Sequence, residues 1–174
     1  NTVPNDIGHW HDAVLDRAKS MLERDKNHAS IIIWSCGNES YGGKNIYDMS
    51  EYFRKADPSR LVHYESICWD RVNEASGKMV LAMPDERRYD GTSDMESQMY
   101  TKVAQIKEFL SKYREKPFIC CEYTHSMGNS NGGMHKYTDL TDEEPLYQGG
   151  FIWDFADQAI WTRDLYGNDV MNYG

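Results

Sequence analysis

What most constrains this chain is an alternation of short unbroken apolar runs with stretches of helical amphipathic spacing. Ile31-Ile32-Ile33-Trp34-Ser35-Cys36 and Pro117-Phe118-Ile119-Cys120-Cys121 carry almost no polar alternation. Such runs suit strands covered on both faces, as in a parallel sheet. Between them, residues 11–26 place Val14, Leu15, Ala18, Met21 and Leu22 on one helical face, and Asn27-His28 ends the pattern. Asn45 is the expected N-cap of a second helix, in which Ile46, Met49, Phe53 and Ala56 share a face until Asp57-Pro58 stops it. Residues 102–114 read as a third helix through Val103, Ile106, Leu110 and Tyr113, and 134–140 as a weaker fourth. Leu61–Glu65, a short run closed by Met99-Tyr100, and Gly149–Asp154 supply further strands; Met79–Met83 fits a strand or a packed loop segment, within an otherwise irregular, charged stretch at 66–95.

Strands alternating with helices predict right-handed βαβ units around a parallel sheet. The pattern supplies about five strands and four helices in 174 residues. A complete (β/α)8 barrel takes ~250 residues and rarely fewer than ~200. The expected fold class is therefore α/β, with a strand count about three short of a complete (β/α)8 TIM-type barrel.

Composition narrows the function classes. The net charge is −9, from 28 acidic against 19 basic residues, and no basic stripe is present, which argues against a nucleic-acid partner. No apolar run approaches the ~20 residues that span a bilayer, so no membrane partner is expected. The first six residues lack the charged and apolar regions of a signal peptide. Cys36, Cys68, Cys120 and Cys121 make no CxxC pair and read as small packing residues; free thiols of this kind fit a reducing, cytoplasmic compartment. His9 and His11 have a spacing that can ligate a metal, but no third ligand accompanies them and both read as surface residues.

The chemistry concentrates where apolar runs end. Glu39 follows Gly37-Asn38 after the first run, and Glu122 follows Cys120-Cys121 after the second. A parallel barrel brings the C-terminal ends of its strands to one rim, where catalytic groups sit. Two carboxylates facing one pocket there are the minimal equipment for cleaving a glycosidic bond. Taken singly, Glu39 reads equally as a solvated loop acid and Glu122 as a buried acid in a structural network. Trp153 ends the last strand, where an indole offers a flat apolar face to a sugar ring or packs in the core. Tyr100 is placed to donate a hydrogen bond to a rim carboxylate, or to pack at the core edge.

Several motifs together carry a family likeness. They are Arg24-Asp25-Lys26-Asn27-His28, Ile33-Trp34-Ser35-Cys36-Gly37-Asn38-Glu39-Ser40, Asp57-Pro58-Ser59-Arg60, Cys121-Glu122-Tyr123-Thr124-His125-Ser126-Met127-Gly128-Asn129-Ser130, Gln148–Asp154 and Asp157-Gln158. On these the chain resembles the large bacterial β-galactosidases of glycoside hydrolase family 2, and the segment after Glu122 resembles that branch rather than the β-glucuronidases or β-mannosidases. Residues 66–95 depart from the family pattern. The resemblance implies that residues 1–174 are the C-terminal part of a family 2 catalytic barrel, an incomplete (β/α)8 TIM-type barrel comprising roughly strands 4 to 8 with their helices. It implies a retaining β-galactosidase, with Glu39 as general acid/base and Glu122 as the nucleophile that forms a galactosyl ester. Asn38 would bind the sugar 2-hydroxyl, Tyr100 would hydrogen-bond the nucleophile, His125 would contact galactose hydroxyls, and Trp153 would form the apolar platform.

The resemblance also implies Mg²⁺ with Glu39 as one ligand, the other ligands lying upstream of this chain, and Na⁺ in the complete enzyme. β-Galactosides such as lactose are the implied substrates. An open barrel leaves strand edges unpaired and an apolar interior uncovered, so self-association as a homo-oligomer is expected. Three other readings remain at this point: a family 2 hydrolase for another β-linked sugar, an inactive carbohydrate-binding fragment, and a subunit whose partner chain completes the barrel.

Overall fold

The computed structural model describes residues 4–65, 67, 69–73, 78–81, 83–127, 130–156 and 158–172. Cys68, Ala82, Gly128, Asn129 and Asp157 of the sequence motifs lie outside the described residues. In chain order the main elements are α1 (His11–Asp25), β1 (Ile33–Ser35), α2 (Lys44–Ala56), β2 (Leu61–His63), β3 (Trp69–Asn73), β4 (Lys78–Leu81), β5 (Glu96–Met99), α3 (Val103–Lys112), β6 (Phe118–Tyr123), α4 (His135–Glu143), β7 (Tyr147–Ile152), β8 (Ile160–Arg163) and β9 (Asp169–Asn172).

Five of these strands run parallel. β1 pairs with β2, placing Ile33 opposite Leu61 and Ser35 opposite His63. β6 lies between β5 and β7 and pairs in parallel with both. The two ladders are joined across β2 and the start of β5. There the Asp94 backbone N–H donates to the Val62 carbonyl (2.9 Å), and the Val62 N–H donates to the Asp94 carboxylate (2.7 Å). Strand order is thus β1-β2-β5-β6-β7, and among the described residues the sheet does not close. This is the incomplete (β/α)8 barrel expected from the sequence. β3 with β4, and β8 with β9, form separate antiparallel pairs. Neither β3, within the stretch expected to be irregular, nor the β8–β9 hairpin was anticipated; in the hairpin every residue but the half-buried Val170 is exposed, so no buried face creates a period-2 signal.

Alternation along the strands sorts side chains to the two faces. On the helix side, α1 and α2 bury Ala18, Leu22, Ile46, Met49 and Phe53 against Trp34, Val62 and Tyr64. Trp34 stacks on Phe53 at 5.6 Å with the rings nearly parallel, and its indole N–H donates to Asp57 (2.9 Å). A second cluster packs Ile106, Leu110 and Leu140 of α3 and α4 against Phe118, Cys120, Tyr123 and Tyr147. The opposite face is only partly covered: Ser35 is exposed and Phe151 is 67% exposed. The expectation of strands buried on both faces therefore holds on the helix side alone, because an open sheet leaves the inner face facing solvent.

Local chemistry fixes the connections. Asp57 accepts from Ser59, Trp34 and Arg60, which hold its carboxyl well below the usual carboxylate range. Arg60 in turn donates to the carbonyls of Lys26 (2.9 Å) and Ile31 (2.8 Å), tying the end of α1 to the entry of β1. That satisfies carbonyl groups a helix end leaves without partners. At α2 the structure corrects the expected cap. Gly43 occupies the N-cap position with φ of 106°, and Asn45 is buried inside the first turn, donating to the carbonyls of Pro4 and Ile7. A remote carboxylate, Asp6, accepts the Lys44 N–H (2.7 Å), so tertiary contact replaces the local cap.

β7 approaches β6 so closely that a Cβ at Gly150 would stand 2.6 Å from the Cys120 carbonyl oxygen. Gly150→Ala must push the strands apart, and is expected to lower the urea-unfolding free energy by about 1–3 kcal/mol. A denaturant midpoint indistinguishable from the parent chain would contradict this packing.

Candidate active site

The parallel strands deliver their C-terminal ends to one rim, and the backbone there departs from ordinary geometry. Glu39 (φ 53°), Tyr100 (φ 54°) and Thr124 (φ 46°) all adopt left-handed conformations just beyond β1, β5 and β6. Such conformations cost non-glycine residues on the order of 1 kcal/mol or more and persist only where surrounding contacts enforce them. Those contacts are present. The Tyr100 N–H donates to the Glu122 carbonyl (2.7 Å), and the Glu39 N–H donates to the Glu65 carboxylate (2.5 Å).

An irregularity in β6 aims the second acid. Against β5, Cys120 faces Gln98 but Glu122 faces Met99; against β7, Cys120 faces Gly150 but Tyr123 faces Ile152. Past Cys120, β6 therefore holds one extra residue relative to each neighbour; on the β7 side it offsets an extra β7 residue between Tyr147 and Gly150. Strict alternation would send Glu122 to the helix side with Phe118 and Cys120. The bulge instead leaves Cys121 and Glu122 on the cleft side and returns Tyr123 to the helix-side core. Re-aiming a side chain is what bulges beside functional sites accomplish.

The resulting cleft encloses about 570 Å³, with Asn38, His63, Glu65, Cys121, Glu122 and Trp153 on its wall. The Tyr100 hydroxyl donates to Glu122 Oε2 at 2.7 Å. Burial, this hydrogen bond and the charges of Glu122 and Glu39 raise the Tyr100 pKa, so the phenol remains a donor. The His125 ring stands 5.9 Å from the Tyr100 ring. The Ser126 N–H donates to the Trp153 carbonyl (2.6 Å), joining the turn after β6 to the end of β7.

The residues expected from sequence thus assemble at one rim. Asn38, Glu122 and Trp153 line the cleft, Tyr100 binds Glu122, and His125 lies against Tyr100. The Glu39 side chain is exposed and does not line the cleft, although its charge reaches the Tyr100 hydroxyl. Two residues escaped the sequence reading. Glu65 closes the Leu61–Glu65 strand segment much as Glu39 and Glu122 follow the two apolar runs, and that parallel was the available signal. His63 is the last residue of β2 and sits between Ser35 Oγ (2.9 Å from Nδ1) and Ser97 Oγ (2.7 Å from Nε2), partners supplied by two other strands. The thiols behave as packing groups: burial pushes Cys36 and Cys120 up to about 12. His11 pairs with Asp48 at 3.0 Å. Among the described residues no three His, Cys, Asp or Glu side chains converge to hold a metal, so Glu39 by itself does not make a Mg²⁺ site.

The family profile described as "Glycosyl hydrolases family 2, TIM barrel domain" matches residues 1–174. The chain belongs to this family. The family 2 segment is 52% identical over 172 residues to a β-galactosidase of Halalkalibacterium halodurans, covering 99% of this chain and 15% of that relative. It is 48% identical to the β-galactosidase large subunit of Leuconostoc lactis, covering 99% of this chain and 25% of that relative. The segment therefore spans well under a third of the curated relatives it matches. In fold it is similar to Bacteroides uniformis β-glucuronidase 2 covalently bound to cyclophellitol-6-carboxylate aziridine, with a TM-score of 0.61 at 17% identity, covering 88% of this chain and 22% of that one. No helix among the described residues is long and apolar enough to cross a membrane.

Burial lowers the His63 pKa of this family 2 segment from 6.5 to about 4. As pH falls, the unfolded chain takes up the proton near 6.5 while the folded chain resists it until near 4. Stability present above 6.5 is then lost across that window, by at most about 3 kcal/mol, with no further loss from this group below 4. Urea titrations at pH 7, 5.5 and 4.5 are expected to show a smaller decline for His63→Gln than for the parent chain.

Proposed function

We propose that this segment is the acid/base- and nucleophile-bearing part of a retaining β-galactosidase, residues 1–174 forming the C-terminal part of its catalytic barrel. The observation that carries the reading is the Glu122 carboxylate, turned into the cleft by the β6 bulge and bound by the Tyr100 hydroxyl. The likeness to relatives named β-galactosidase supports galactose as the sugar.

In this reading Tyr100 holds Oε2 of Glu122, leaving Oε1 to attack the anomeric carbon of a terminal β-galactoside such as lactose. Glu39 protonates the departing glycosidic oxygen. A galactosyl ester of Glu122 results; Glu39, now a carboxylate, takes a proton from the incoming water, which releases galactose with retained configuration. Asn38 would bind the 2-hydroxyl, His125 other ring hydroxyls, and the Trp153 indole the apolar sugar face. A Mg²⁺ ion using Glu39 would need its other ligands from outside this chain, and Na⁺ its ligands from other segments.

A partner polypeptide is the second reading that a specific observation favours. The Leuconostoc lactis relative is named a large subunit, and the inner face of the sheet is open. Strands that complete the barrel would then come from elsewhere in a longer polypeptide, from a second copy, or from a separate chain. Co-purification and light scattering separate these.

The functional test is hydrolysis of a chromogenic β-galactoside by the full polypeptide carrying this chain. Glu122→Gln is expected to lose about 10⁴-fold or more in kcat. Tyr100→Phe, which frees Glu122 Oε2, is expected to lose about 10²-fold. Proton NMR of the first-formed sugar should show the β anomer. Appearance of the α anomer, or full activity in Glu122→Gln, would overturn the proposal, and faster turnover of another aryl glycoside would reassign the sugar.

A further inference from the structure

We infer that Glu65 is a positioning residue for Glu39, an inference that rests on the acid/base role proposed for Glu39. Glu65 follows β2 and is only 4% exposed, yet it lines the same cleft as Asn38 and Glu122. A carboxylate this buried is costly unless it is hydrogen-bonded. Its oxygen accepts the backbone N–H of Glu39 at 2.5 Å, at the residue whose φ of 53° an ordinary side chain resists. The charge-assisted bond is of the stronger kind and is directed at the backbone, not at the Glu39 carboxyl.

The neighbouring residue reinforces the grip. Tyr64 is fully buried, and its hydroxyl lies 2.7 Å from Ser40 Oγ and also donates to the Ser40 carbonyl. Successive residues at the end of β2 thus hold successive residues of the β1 turn, Glu65 on Glu39 and Tyr64 on Ser40. The two strands are already in register through Ser35 and His63, and the Cys36 N–H donates to the His63 carbonyl (2.9 Å), so the clamp extends the ladder past the last paired residue. A general acid must stand within hydrogen-bond reach of the leaving oxygen, and a displacement near 1 Å costs about 10²-fold. The Glu39 side chain is exposed on a short turn, and its direction is set by the backbone that Glu65 holds.

The test uses the full polypeptide with Glu65→Leu and Glu65→Gln, the second keeping shape and an acceptor oxygen. Two substrates are compared: a methyl or 4-methoxyphenyl β-galactoside, whose leaving group needs a proton, and 2,4-dinitrophenyl β-galactoside, whose leaving group does not. Glu65→Leu is expected to lose about 10²-fold in kcat/KM on the first and less than about 5-fold on the second. Azide, a nucleophile that needs no general base, should raise its dinitrophenyl turnover and give galactosyl azide. Glu65→Gln should stay within about 5-fold of the parent on both substrates. Equal losses on the two substrates, no loss on either, or Glu65→Gln behaving like Glu65→Leu would overturn the inference. Glu39→Gln serves as reference: if it lacks the leaving-group dependence, the acid/base reading itself fails, whereas its presence in Glu39→Gln and absence in Glu65→Leu rejects only the positioning role. If thermal melting shows Glu65→Leu unfolded, Tyr64→Phe removes the other half of the clamp, and must show a weaker dependence of the same sign for the inference to stand.

Discussion

Parallel pairing is the constraint on which the rest of this structure depends. Each of β1, β2, β5, β6 and β7 runs the same way because a helix or long connection returns the chain before the next strand begins. That return places α1–α4 on one face, where Phe53 stacks on Trp34, and Phe118 and Tyr147 pack under α3 and α4. It also gathers every C-terminal strand end at one rim. Positions as distant in sequence as Asn38, Glu65, Glu122 and Trp153 become neighbours by this route alone.

The two ends of the strands are built differently. At the start of β5, Arg87 is nearly inaccessible and pairs with the buried Glu96 at 2.8 Å and with Asp90 at 3.0 Å; Lys116 pairs with the same Asp90. These charges are satisfied by one another and leave little to react with a ligand. At the other end, left-handed backbone at Glu39, Tyr100 and Thr124 is combined with carboxylates whose bonds come from neighbouring strands. Left-handed backbone and hydrogen-bonded carboxylates therefore collect at the rim, which is where a barrel positions chemistry.

The inner face and the β8–β9 hairpin carry exposed apolar side chains. Phe151 and Trp153 are open to solvent on the cleft side, and Ile160, Trp161, Leu165 and Tyr166 are exposed on the β8–β9 hairpin. Apolar area of this extent is normally covered. The family relatives are several times longer than this segment, so polypeptide able to cover it exists among them.

Much of this was legible from residues alone. Apolar runs and helical spacing located β1, β2, β6, β7 and the four helices, because burial on the helix side imposes a periodicity that sequence records; of the polar β5 only the Met99 end was marked, and α1 and α2 match to within a residue or two at each end. The motifs around Glu39 and Glu122 pointed to the family, and the same rim residues come together in the fold. What sequence could not carry was anything set by a partner from elsewhere. Asn45 resembles a cap, but Asp6 supplies the capping oxygen. Glu122 points into the cleft because β6 carries a bulge against both β5 and β7, and a register shift exists only between paired strands. Glu65 matters because the turn after a different strand offers it a backbone N–H. The sequence by itself determined the parallel strands and their helices, the family, and which side chains are candidates for the chemistry, since these follow from local side-chain chemistry. Only the tertiary structure decided where those groups point, since direction depends on hydrogen bonds between segments that are remote along the chain.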